Sequence, residues 1–439
     1  MKIICLGYYD DFARFFLSVK KEFKKRDKEV DFKYLSIYFS GFLYFLFRMQ
    51  NVSFFSFRVW IDQSFNRLKY IDIADNREFY KGVNLDDVIQ YHVFLNGVKK
   101  KKLKIQAISY INIIEKELKK FKPNVLILSG DSRMSIEIFS IKAREFNIKI
   151  YYFEQGPFGT TILDRSGVNA NCSIRSKKID FNRPINEVKL RVDSFFSRNK
   201  EERYKRNPFY RGSDYFLQAV LSPFGMLPPD IHMDISYKYE ANIAGNIITG
   251  RSQFNNIFLL ILQVPFDANM VYHSPYFDSH SDIVKCVYFN LPHDSQLLVR
   301  EHPLYKGKYE KELYEFMYQN NILLDDDNLK DSINKSDVVV VNNSTVGIEA
   351  IANMKTVVVL GDCYYDNPQI CLKLERKEDL NILLKDAVEN KVDVKKVWCY
   401  LDVLLNVYLV DGHFRDENLK SPFNIANQIT EDFLIEAKG

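Results

Sequence analysis

Two short segments in the second half of the chain combine an apolar strand with groups that bind anions. Residues 297–303 read LLVREHP, an apolar run that ends in Arg300, His302 and Pro303. Residues 338–349 read VVVVNNSTVGIE, an apolar run followed by amides, hydroxyls and a helical pattern. Parallel strands end at one edge of a sheet, where ligands and helix N-termini meet. The two segments therefore predict a nucleotide-phosphate site at such an edge.

In the first segment each polar residue has its own chemical use. Arg300 offers a planar fork that fits a phosphate or carboxylate. His302 can donate a hydrogen bond to a phosphate oxygen or protonate a departing one. Pro303 ends the strand and directs the preceding side chains out of the sheet edge. The alternative is a histidine with a purely structural role, which the second segment makes less attractive.

The second segment offers hydroxyls at the start of a helix. Ser344 or Thr345 is a good N-cap, and free backbone N–H groups favour an anion there. A capping box is the simpler explanation, with Glu349 placed to reach back. It does not explain two asparagines after four valines. We therefore predict that the donor-binding residues include Asn343, Ser344, Thr345, Gly347 and Glu349.

Carboxylates follow a strand in the first half of the chain. The strand at residues 149–153 ends in Glu154, Gln155 and Gly156, and a glycine-rich loop with a second acid, Asp164, follows. A carboxylate at a strand end suits a general base or a nucleophile at a sugar anomeric centre. Such an acid is also often a cap or an ion-pair partner.

A comparable strand end carries Asp131 and Arg133, directly after the apolar run at residues 125–128. We predict that both residues bind the acceptor or a sugar carboxylate, and that Gln155 and Gly156 also bind the acceptor or the sugar. We expect no metal site, since the histidines lack metal-ligand spacing. Adjacent acids such as those at 325–327 do not by themselves converge on a cation, so a solvated turn is expected there.

Strand and helix patterns alternate along residues 2–153 and again along residues 257–360. This alternation predicts an α/β chain with parallel sheets and right-handed crossovers. Because 439 residues exceed one ordinary core, we predict two Rossmann-like domains that face each other across a cleft. The predicted domains are 1–245 and 246–415, with a C-terminal helix within 416–439 packing back on the first domain.

Composition excludes several classes of protein. A net charge of +4 is small for this length, so no nucleic-acid partner is expected. Basic clusters at 20–26 and 99–102 indicate solvated helix faces, with weak attraction to an anionic membrane as the alternative. Six scattered cysteines suggest neither disulfides nor zinc and fit a reducing cytoplasm.

The apolar segments are short. Residues 1–7 are too brief and too quickly polar for a signal peptide. The aromatic stretch at 38–47 falls short of the ~20 residues that a bilayer crossing needs. We expect a cytoplasmic protein without a transmembrane segment, with peripheral association at the inner face of the cytoplasmic membrane as an addition.

With these elements located, residues 125–365 resemble the bacterial capsule polysaccharide synthesis family. That family includes β-Kdo transferases that use CMP-Kdo (Kdo is 3-deoxy-D-manno-octulosonic acid) and is distantly similar to bacterial sialyltransferases. The matching residues are Glu154 with Gly156, Asp164 followed by Gly167, Val168 and Asn169, His302 with Pro303, and Ser344 with Thr345 and Glu349.

The resemblance implies a GT-B fold, in which His302 and the pair Ser344 and Thr345 hold cytidine monophosphate. It places Glu154 near the anomeric carbon and implies a CMP-sugar donor with a glycan or lipid-linked acceptor. A single leaving phosphate needs less charge neutralisation than a diphosphate, so no metal or other cofactor is expected. Some relatives have an acid where this chain has Gln155, which leaves retaining and inverting chemistry both open.

Two alternatives remain. One is a CDP-glycerol-type polyol-phosphate transferase, which shares the His-Pro and strand–serine–helix pattern. The other is a non-catalytic component of capsule assembly or export that binds polysaccharide or lipid, with the aromatic residues 38–60 and the basic clusters as its binding surface.

Overall fold

The computed structural model describes residues 1–96, 98–199, 201–221 and 255–436. These residues form two compact units. The described residues of the first unit fall within Met1–Val168, Asn199–Ile235 and Tyr408–Gly439, and those of the second within Asn169–Arg198 and Ser236–Val407. The predicted boundary at 245 and 246 lies outside the described residues.

The described strands are short and mostly buried. In chain order they are β1 (Lys2–Gly7), β2 (Asp31–Ser36), β3 (Val52–Phe54), β4 (Phe79–Tyr80), β5 (Val83–Asn84), β6 (Val125–Ser129), β7 (Lys149–Gln155), β8 (Thr161–Asp164), β9 (Asn256–Ile261), β10 (Ser295–Arg300), β11 (Leu323–Leu324), β12 (Val338–Val341), β13 (Thr356–Val359), β14 (Leu372–Lys373) and β15 (Leu409–Val410).

The described helices cover the sheets. They are α1 (Asp10–Arg26), α2 (Phe39–Leu46), α3 (Phe55–Phe65), α4 (Arg67–Asn76), α5 (Gln90–Asn96), α6 (Lys100–Phe121), α7 (Met134–Glu145), α8 (Ile185–Phe196), α9 (Pro208–Leu221), α10 (Ala268–Tyr272), α11 (His280–Asn290), α12 (Lys311–Gln319), α13 (Leu329–Lys335), α14 (Val346–Ala352), α15 (Leu380–Glu389), α16 (Val394–Val403) and α17 (Ser421–Glu436).

The first unit is built on a seven-stranded sheet with the order β15-β8-β7-β6-β1-β2-β3. Strands β7, β6, β1, β2 and β3 are parallel, whereas β8 runs antiparallel to both β7 and β15. Helix α1 buries Phe15, Phe16 and Phe23 against this sheet. Each fully buried side chain of this size contributes roughly 2–3 kcal/mol, so this face fixes the helix.

The second unit has a six-stranded, fully parallel sheet with the order β11-β10-β9-β12-β13-β14. All four valines of β12 are buried, as expected for a strand that is covered on both faces. In both units the chain starts at a central strand, extends to one side and then crosses to the other. This is the Rossmann-like order, and the predicted α/β class with two such domains, the GT-B class, is confirmed.

The segment 169–198 belongs to the second unit, although the predicted first domain included it. Arg191 on α8 pairs with Asp402 on α16 at 2.8 Å, and Arg183 donates to the same carboxylate. Arg175 forms a bidentate pair with Asp366 at 2.9 and 2.8 Å. These contacts join segments that are distant in the sequence, which local patterns cannot reveal.

Candidate functional site

Three strand ends of the second unit lie side by side. Ile261, the last residue of β9, pairs in register with Arg300 of β10 on one side and Val341 of β12 on the other. Neighbouring strands lie about 4.8 Å apart, so positions two residues beyond this row fall within about 10 Å of one another. Those positions are Gln263, His302 and Asn343. The sheet order also changes direction between β9 and β12, where ligands of such folds bind.

His302 is half-buried and presents one ring nitrogen as a donor. Its Nδ1 accepts a hydrogen bond from the Leu304 backbone N–H at 3.3 Å, so the neutral ring carries its proton on Nε2. Burial lowers the pKa of His302, and the nearby Asp267 carboxylate offsets part of this effect. The residue is therefore a neutral Nε2–H donor near pH 7.

Tyr309 connects His302 to the central strand. The His302 backbone N–H donates to the Tyr309 hydroxyl at 2.9 Å, and that hydroxyl donates to the Gln263 carbonyl at 3.0 Å. His280 packs edge-on against the Tyr309 ring at 5.0 Å. Because Tyr309 is buried, this bridge fixes the relative position of the two strand ends.

Gln263 is a site residue that sequence reasoning missed. Its side chain is 6% exposed, yet neither amide atom has a hydrogen-bond partner among the described residues. Buried amides are normally satisfied, so this one is a candidate ligand-binding group. The only sequence signal was a glutamine directly after the apolar run 257–262, which matches no motif.

The asparagines after β12 hold the site loop in place. Asn343 Nδ2 donates to the carbonyls of Asn269 and His273, at 3.1 and 3.0 Å. Its Oδ1 is buried and unpartnered among the described residues, as is Oδ1 of Asn342. The amide donors therefore fasten this turn to α10, while two carbonyl oxygens remain available.

Ser344 and Thr345 precede α14, as expected, but do not form a strong cap. The N-cap residue, Thr345, makes no side-chain cap hydrogen bond. Ser344 Oγ lies 3.4 Å from the Val346 backbone N–H, a long contact. Glu349 lies in the first turn of α14. The capping box explanation is thus not supported, since the threonine hydroxyl is not used for capping.

Gly347 is required for packing. A β-carbon at this position would lie 2.7 Å from Cζ of Tyr365, which is too close for any real contact. The Tyr365 hydroxyl donates to the Ser344 carbonyl, so the missing side chain lets a buried tyrosine support the loop. Gly347 was predicted to bind the donor, but in the structure it supports the loop by making room for Tyr365.

Arg300 has a different environment from the phosphate site predicted for it. Its Nη1 donates to Asp325 at 2.6 Å, to the Asp327 carbonyl at 2.7 Å and to Ser332 Oγ at 3.1 Å. The fully buried Asp325 carboxylate compensates its charge. Arg300 thus joins β10 to α13, while Pro303 is exposed in the turn beyond it.

The acids at 325–327 are ion-pair partners. Asp325 also accepts from Lys335 at 2.5 Å, Asp326 pairs with Lys306 at 2.8 Å, and Asp327 pairs with Lys335. Burial acts to raise the pKa of Asp325, but hydrogen bonds from Lys335, Ser332 and Arg300 lower it below its usual value. The expected solvated turn is wrong for Asp325, which is the buried centre of this network.

In the first unit, Glu154 and Gln155 lie at the carboxyl end of β7. Gly156 follows, and its N–H donates to the Thr160 carbonyl at 3.0 Å, which closes a tight hairpin into β8. A β-carbon at Gly156 would lie 3.1 Å from the Thr160 carbonyl carbon. Gly159 has a φ of 82°, a left-handed value that glycine adopts without strain. The glycine-rich loop is therefore a hairpin turn.

Asp164 does not share the sheet edge with Glu154. Because β8 is antiparallel, Glu154 pairs with Ile162, and Asp164 pairs with Tyr152, two residues further back along β7. The Asp164 carboxylate is buried and accepts from the Ser166 backbone N–H at 2.7 Å. The prediction of Asp164 as a catalytic acid is thus weakened by strand direction.

Asp131 and Arg133 follow β6, next to β7 in the sheet. Asp131 accepts from Ser132 Oγ at 2.6 Å and from the Val168 backbone N–H at 2.9 Å, so it supports the loop after β8. The Arg133 guanidinium lies 4.8 Å from the centre of the Tyr8 ring. Sequence reasoning found both residues but missed the tyrosine beneath the arginine.

The described residues contain neither a metal-binding cluster nor a helix that could span a membrane. No group of three or more His, Cys, Asp or Glu side chains is arranged to hold a metal ion in that part of the chain. None of its helices combines the length and the apolar content that a bilayer crossing needs.

Two Rossmann-like units with polar strand ends define an α/β protein of the GT-B class. Residues 124–414 match the sequence profile of the family described as capsule polysaccharide biosynthesis protein, which is two thirds of the chain. The protein therefore belongs to the capsule polysaccharide biosynthesis family, as predicted from Glu154, His302 and Ser344.

Several solved structures are similar at low identity. The β-Kdo 2,7 transferase part of KpsC from Thermosulfurimonas dismutans is 16% identical, with a TM-score of 0.37, over 75% of this chain and 95% of that one. The β-Kdo 2,4 transferase part of the same protein is 12% identical, with a TM-score of 0.39, over 69% and 87%. UDP-GlcNAc 2-epimerase from Methanocaldococcus jannaschii is 14% identical, with a TM-score of 0.36, over 98% and 100%. No curated protein sequence matches this chain.

Proposed function

We propose that the protein is a glycosyltransferase of capsule or O-antigen polysaccharide synthesis. It transfers Kdo, or a related ulosonic acid, from a CMP-sugar to a glycan or lipid-linked acceptor. The observation that carries this proposal is the row of Gln263, His302 and Asn343 beyond three neighbouring strand ends. A row of neutral donors and acceptors at the switch point of a Rossmann-like sheet suits a nucleotide monophosphate.

In the proposed reaction, His302 acts on the leaving phosphate. Its Nε2–H donates to a phosphate oxygen as the bond between that oxygen and the anomeric carbon breaks, which stabilises the developing charge. The side-chain amide of Gln263 and the Oδ1 atom of Asn343, which have no partner among the described residues, supply further contacts to the nucleotide. The backbone N–H groups at Ser344 and Thr345 favour the same anion. We therefore propose that the leaving phosphate is stabilised without a metal ion.

Glu154 is the proposed acid at the sugar. As a general base it accepts the proton of the acceptor hydroxyl, which gives inversion. As a nucleophile it bonds to the anomeric carbon first, which gives retention. Since Asp164 lies two residues further back from the sheet edge, Glu154 is the better placed of the two carboxylates. The anomeric configuration of the product separates the two mechanisms.

Turnover of CMP-Kdo tests the proposal. The purified protein is incubated with CMP-Kdo and either a Kdo-terminated glycolipid or a capsule oligosaccharide, with and without EDTA. We expect CMP release with product formation, unchanged by the chelator. If no CMP-ulosonate is turned over with any such acceptor, the proposal is wrong.

Donor binding distinguishes the proposed CMP-sugar transferase from a CDP-glycerol-type polyol-phosphate transferase. CMP should raise the melting temperature, whereas CDP-glycerol should do so only if the protein is a polyol-phosphate transferase. For an export component, Glu154→Ala and His302→Ala chains would still restore capsule in a strain that lacks the protein. We expect neither variant to restore it.

A further inference from the structure

The carboxyl edge of the first sheet carries an arginine that has no acidic partner in the described part of the chain. Arg133 follows β6, directly before α7, and its guanidinium lies over the Tyr8 ring. Among the described residues the guanidinium makes no ion pair or hydrogen bond, although the Arg133 carbonyl accepts from the Ile136 and Glu137 backbone N–H groups. By contrast, Arg206 stacks on the Tyr9 ring at 4.5 Å and also pairs with Asp10. Arg133 thus differs from Arg206, whose charge is compensated by a carboxylate.

Four tyrosines surround the Arg133 guanidinium. Tyr8 and Tyr9 follow β1, Tyr38 follows β2, and Tyr91 lies on α5, and each of them interacts electrostatically with Arg133. Tyr9 and Tyr38 stack at 4.5 Å. A cation over an aromatic face recovers only part of its lost hydration. The arrangement therefore favours a ligand that supplies the missing negative charge.

This arginine lies at the switch point of its sheet. Strands β6 and β1 are neighbours, and the chain extends from β1 to β2 on one side and crosses to β6 on the other. Glu154 stands on the next strand, β7, and interacts electrostatically with Tyr8. An anion held by Arg133 is therefore close to the proposed acid.

Helix α7, which follows Arg133, also carries a carboxyl group that can be neutral when an anion binds. Glu137, one turn into α7, has a buried Oε2 without a hydrogen-bond partner among the described residues. Burial and the carboxylates of Asp87 and Asp131 raise the pKa of Glu137 to about 7. At neutral pH this carboxyl is therefore protonated about half of the time, and in that form it repels no ligand anion.

We propose that Arg133, with Tyr8, Tyr9, Tyr38 and Tyr91, is a subsite for the carboxylate of an acidic sugar. The arginine fork matches a carboxylate in two hydrogen bonds, and the rings pack against the sugar. The carboxylate belongs either to the terminal sugar of the acceptor or to the donor ulosonate. As a statement about the substrate, the inference rests on the proposed function, but binding at this subsite can be measured without turnover.

Direct binding is the first test. Affinities of the whole chain for the methyl glycoside of Kdo and for its carboxyl-reduced alcohol are measured by titration calorimetry or ligand-observed NMR. We expect the acid to bind about tenfold or more tightly than the alcohol, the usual range for a charge-assisted pair. Arg133→Gln should remove this difference, and Arg133→Lys should restore part of it.

The control is Arg48→Gln. Arg48 also lies over a tyrosine, Tyr44, at 3.6 Å in the same unit, but it is exposed and donates to that residue's carbonyl. We expect it to leave both affinities unchanged. Equal affinity of the wild-type chain for acid and alcohol would overturn the inference without any variant. Wild-type affinity of a folded Arg133→Gln chain for the acid would do the same.

Kinetics then identify the source of the carboxylate. A raised KM for an acidic acceptor, with the donor KM unchanged, assigns it to the acceptor, and the reverse result assigns it to the donor. Transfer without any effect of Arg133→Gln on either KM removes the subsite and leaves the proposed function standing. Selective binding of the acid without transfer from any CMP-ulosonate supports the subsite but contradicts the proposed function.

Discussion

His302 is the residue on which the proposed chemistry depends. Its Nδ1 is occupied by a backbone N–H, so its other nitrogen donates without any change of tautomer. Because the ring is only half-buried, the donor can reach a ligand at the strand end. A side chain that is fixed on one side and free on the other is suited to act on a leaving group.

We expect His302→Ala to lower kcat for transfer by about 10²- to 10⁴-fold, because a positioned proton donor contributes roughly that much. His302→Gln should recover part of the loss if hydrogen bonding to the phosphate matters more than protonation. Steady-state rates of CMP release provide the measurement. His293→Ala, at an exposed histidine of the same unit, is the matched control. Full activity of the His302→Ala enzyme would remove this histidine from the mechanism.

At the scale of elements, the link between β10 and α13 determines how His302 is presented. Arg300 donates to Asp325, to the Asp327 carbonyl and to Ser332, so the end of β10 is fixed to α13 and to the segment that precedes it. The carboxylate of Asp325 has no exposure of its own. The strand end that carries the proposed catalytic histidine is thus anchored by a neighbouring buried charge.

We expect Arg300→Ala to lower the free energy of unfolding by roughly 2 kcal/mol, since it removes charge-assisted hydrogen bonds while Lys335 still compensates Asp325. Urea denaturation measures the change. Lys306→Ala breaks the exposed pair with Asp326 and should have almost no effect. If Arg300 instead bound the donor phosphate, its loss would raise the donor KM and leave stability unchanged.

Elements with strong periodicity were predictable from the sequence. Helix α1 and strands β6, β7, β10 and β12 follow clear patterns of apolar residues, and the structure has them where expected. Residues 30–95 were not predictable, because aromatic side chains occur in every register there. They form β2, β3, α2, α3 and further short elements.

Tertiary pairing overrode the local pattern in the tail. The sequence predicts one helix over residues 394–410, but α16 ends at Val403 and a wide turn leads into β15. The helix ends early because Leu409 pairs with Ile162 on β8, and the sequence around residue 409 gives no sign of this pairing. The same limit applies to the site: Glu154 and His302 stand out in recognisable motifs, whereas Gln263 and Tyr8 become candidates only once the strands are placed in register.

At the scale of the whole molecule, a buried histidine contributes to the response of stability to acid. His413 stacks on Phe414 at 4.8 Å, and its Nδ1 accepts from the Arg415 backbone N–H at 2.9 Å. Burial, together with the cations of Arg203 and Arg415, lowers the pKa of His413 to about 3. The fold therefore requires this ring to stay neutral.

The sign of the pH effect follows from that depressed pKa. An unfolded histidine has a pKa of about 6.5, so below that pH the unfolded chain binds a proton that the folded chain does not. Stability is complete above about pH 6.5 and falls with acidification, by about 2 kcal/mol between pH 7 and pH 5 from this group. Urea titrations across that range measure the slope. A folded His413→Gln chain should show a flatter dependence, and an unchanged slope would contradict the assignment.

The strand pairing of β15 has a consequence for biosynthesis. The first sheet gains its outer strand from Leu409 and Val410, and Thr161 on β8 donates to the carbonyl of Gly412 at 2.8 Å. Helix α17 adds a hydrogen bond from the Tyr151 hydroxyl to Asp432 at 2.7 Å. A ribosome must therefore synthesise the second unit and the residues up to about 432 before the first unit can complete its own sheet. The nascent chain meanwhile carries an open β8 edge, so premature termination near residue 405 should yield aggregates or a chaperone client.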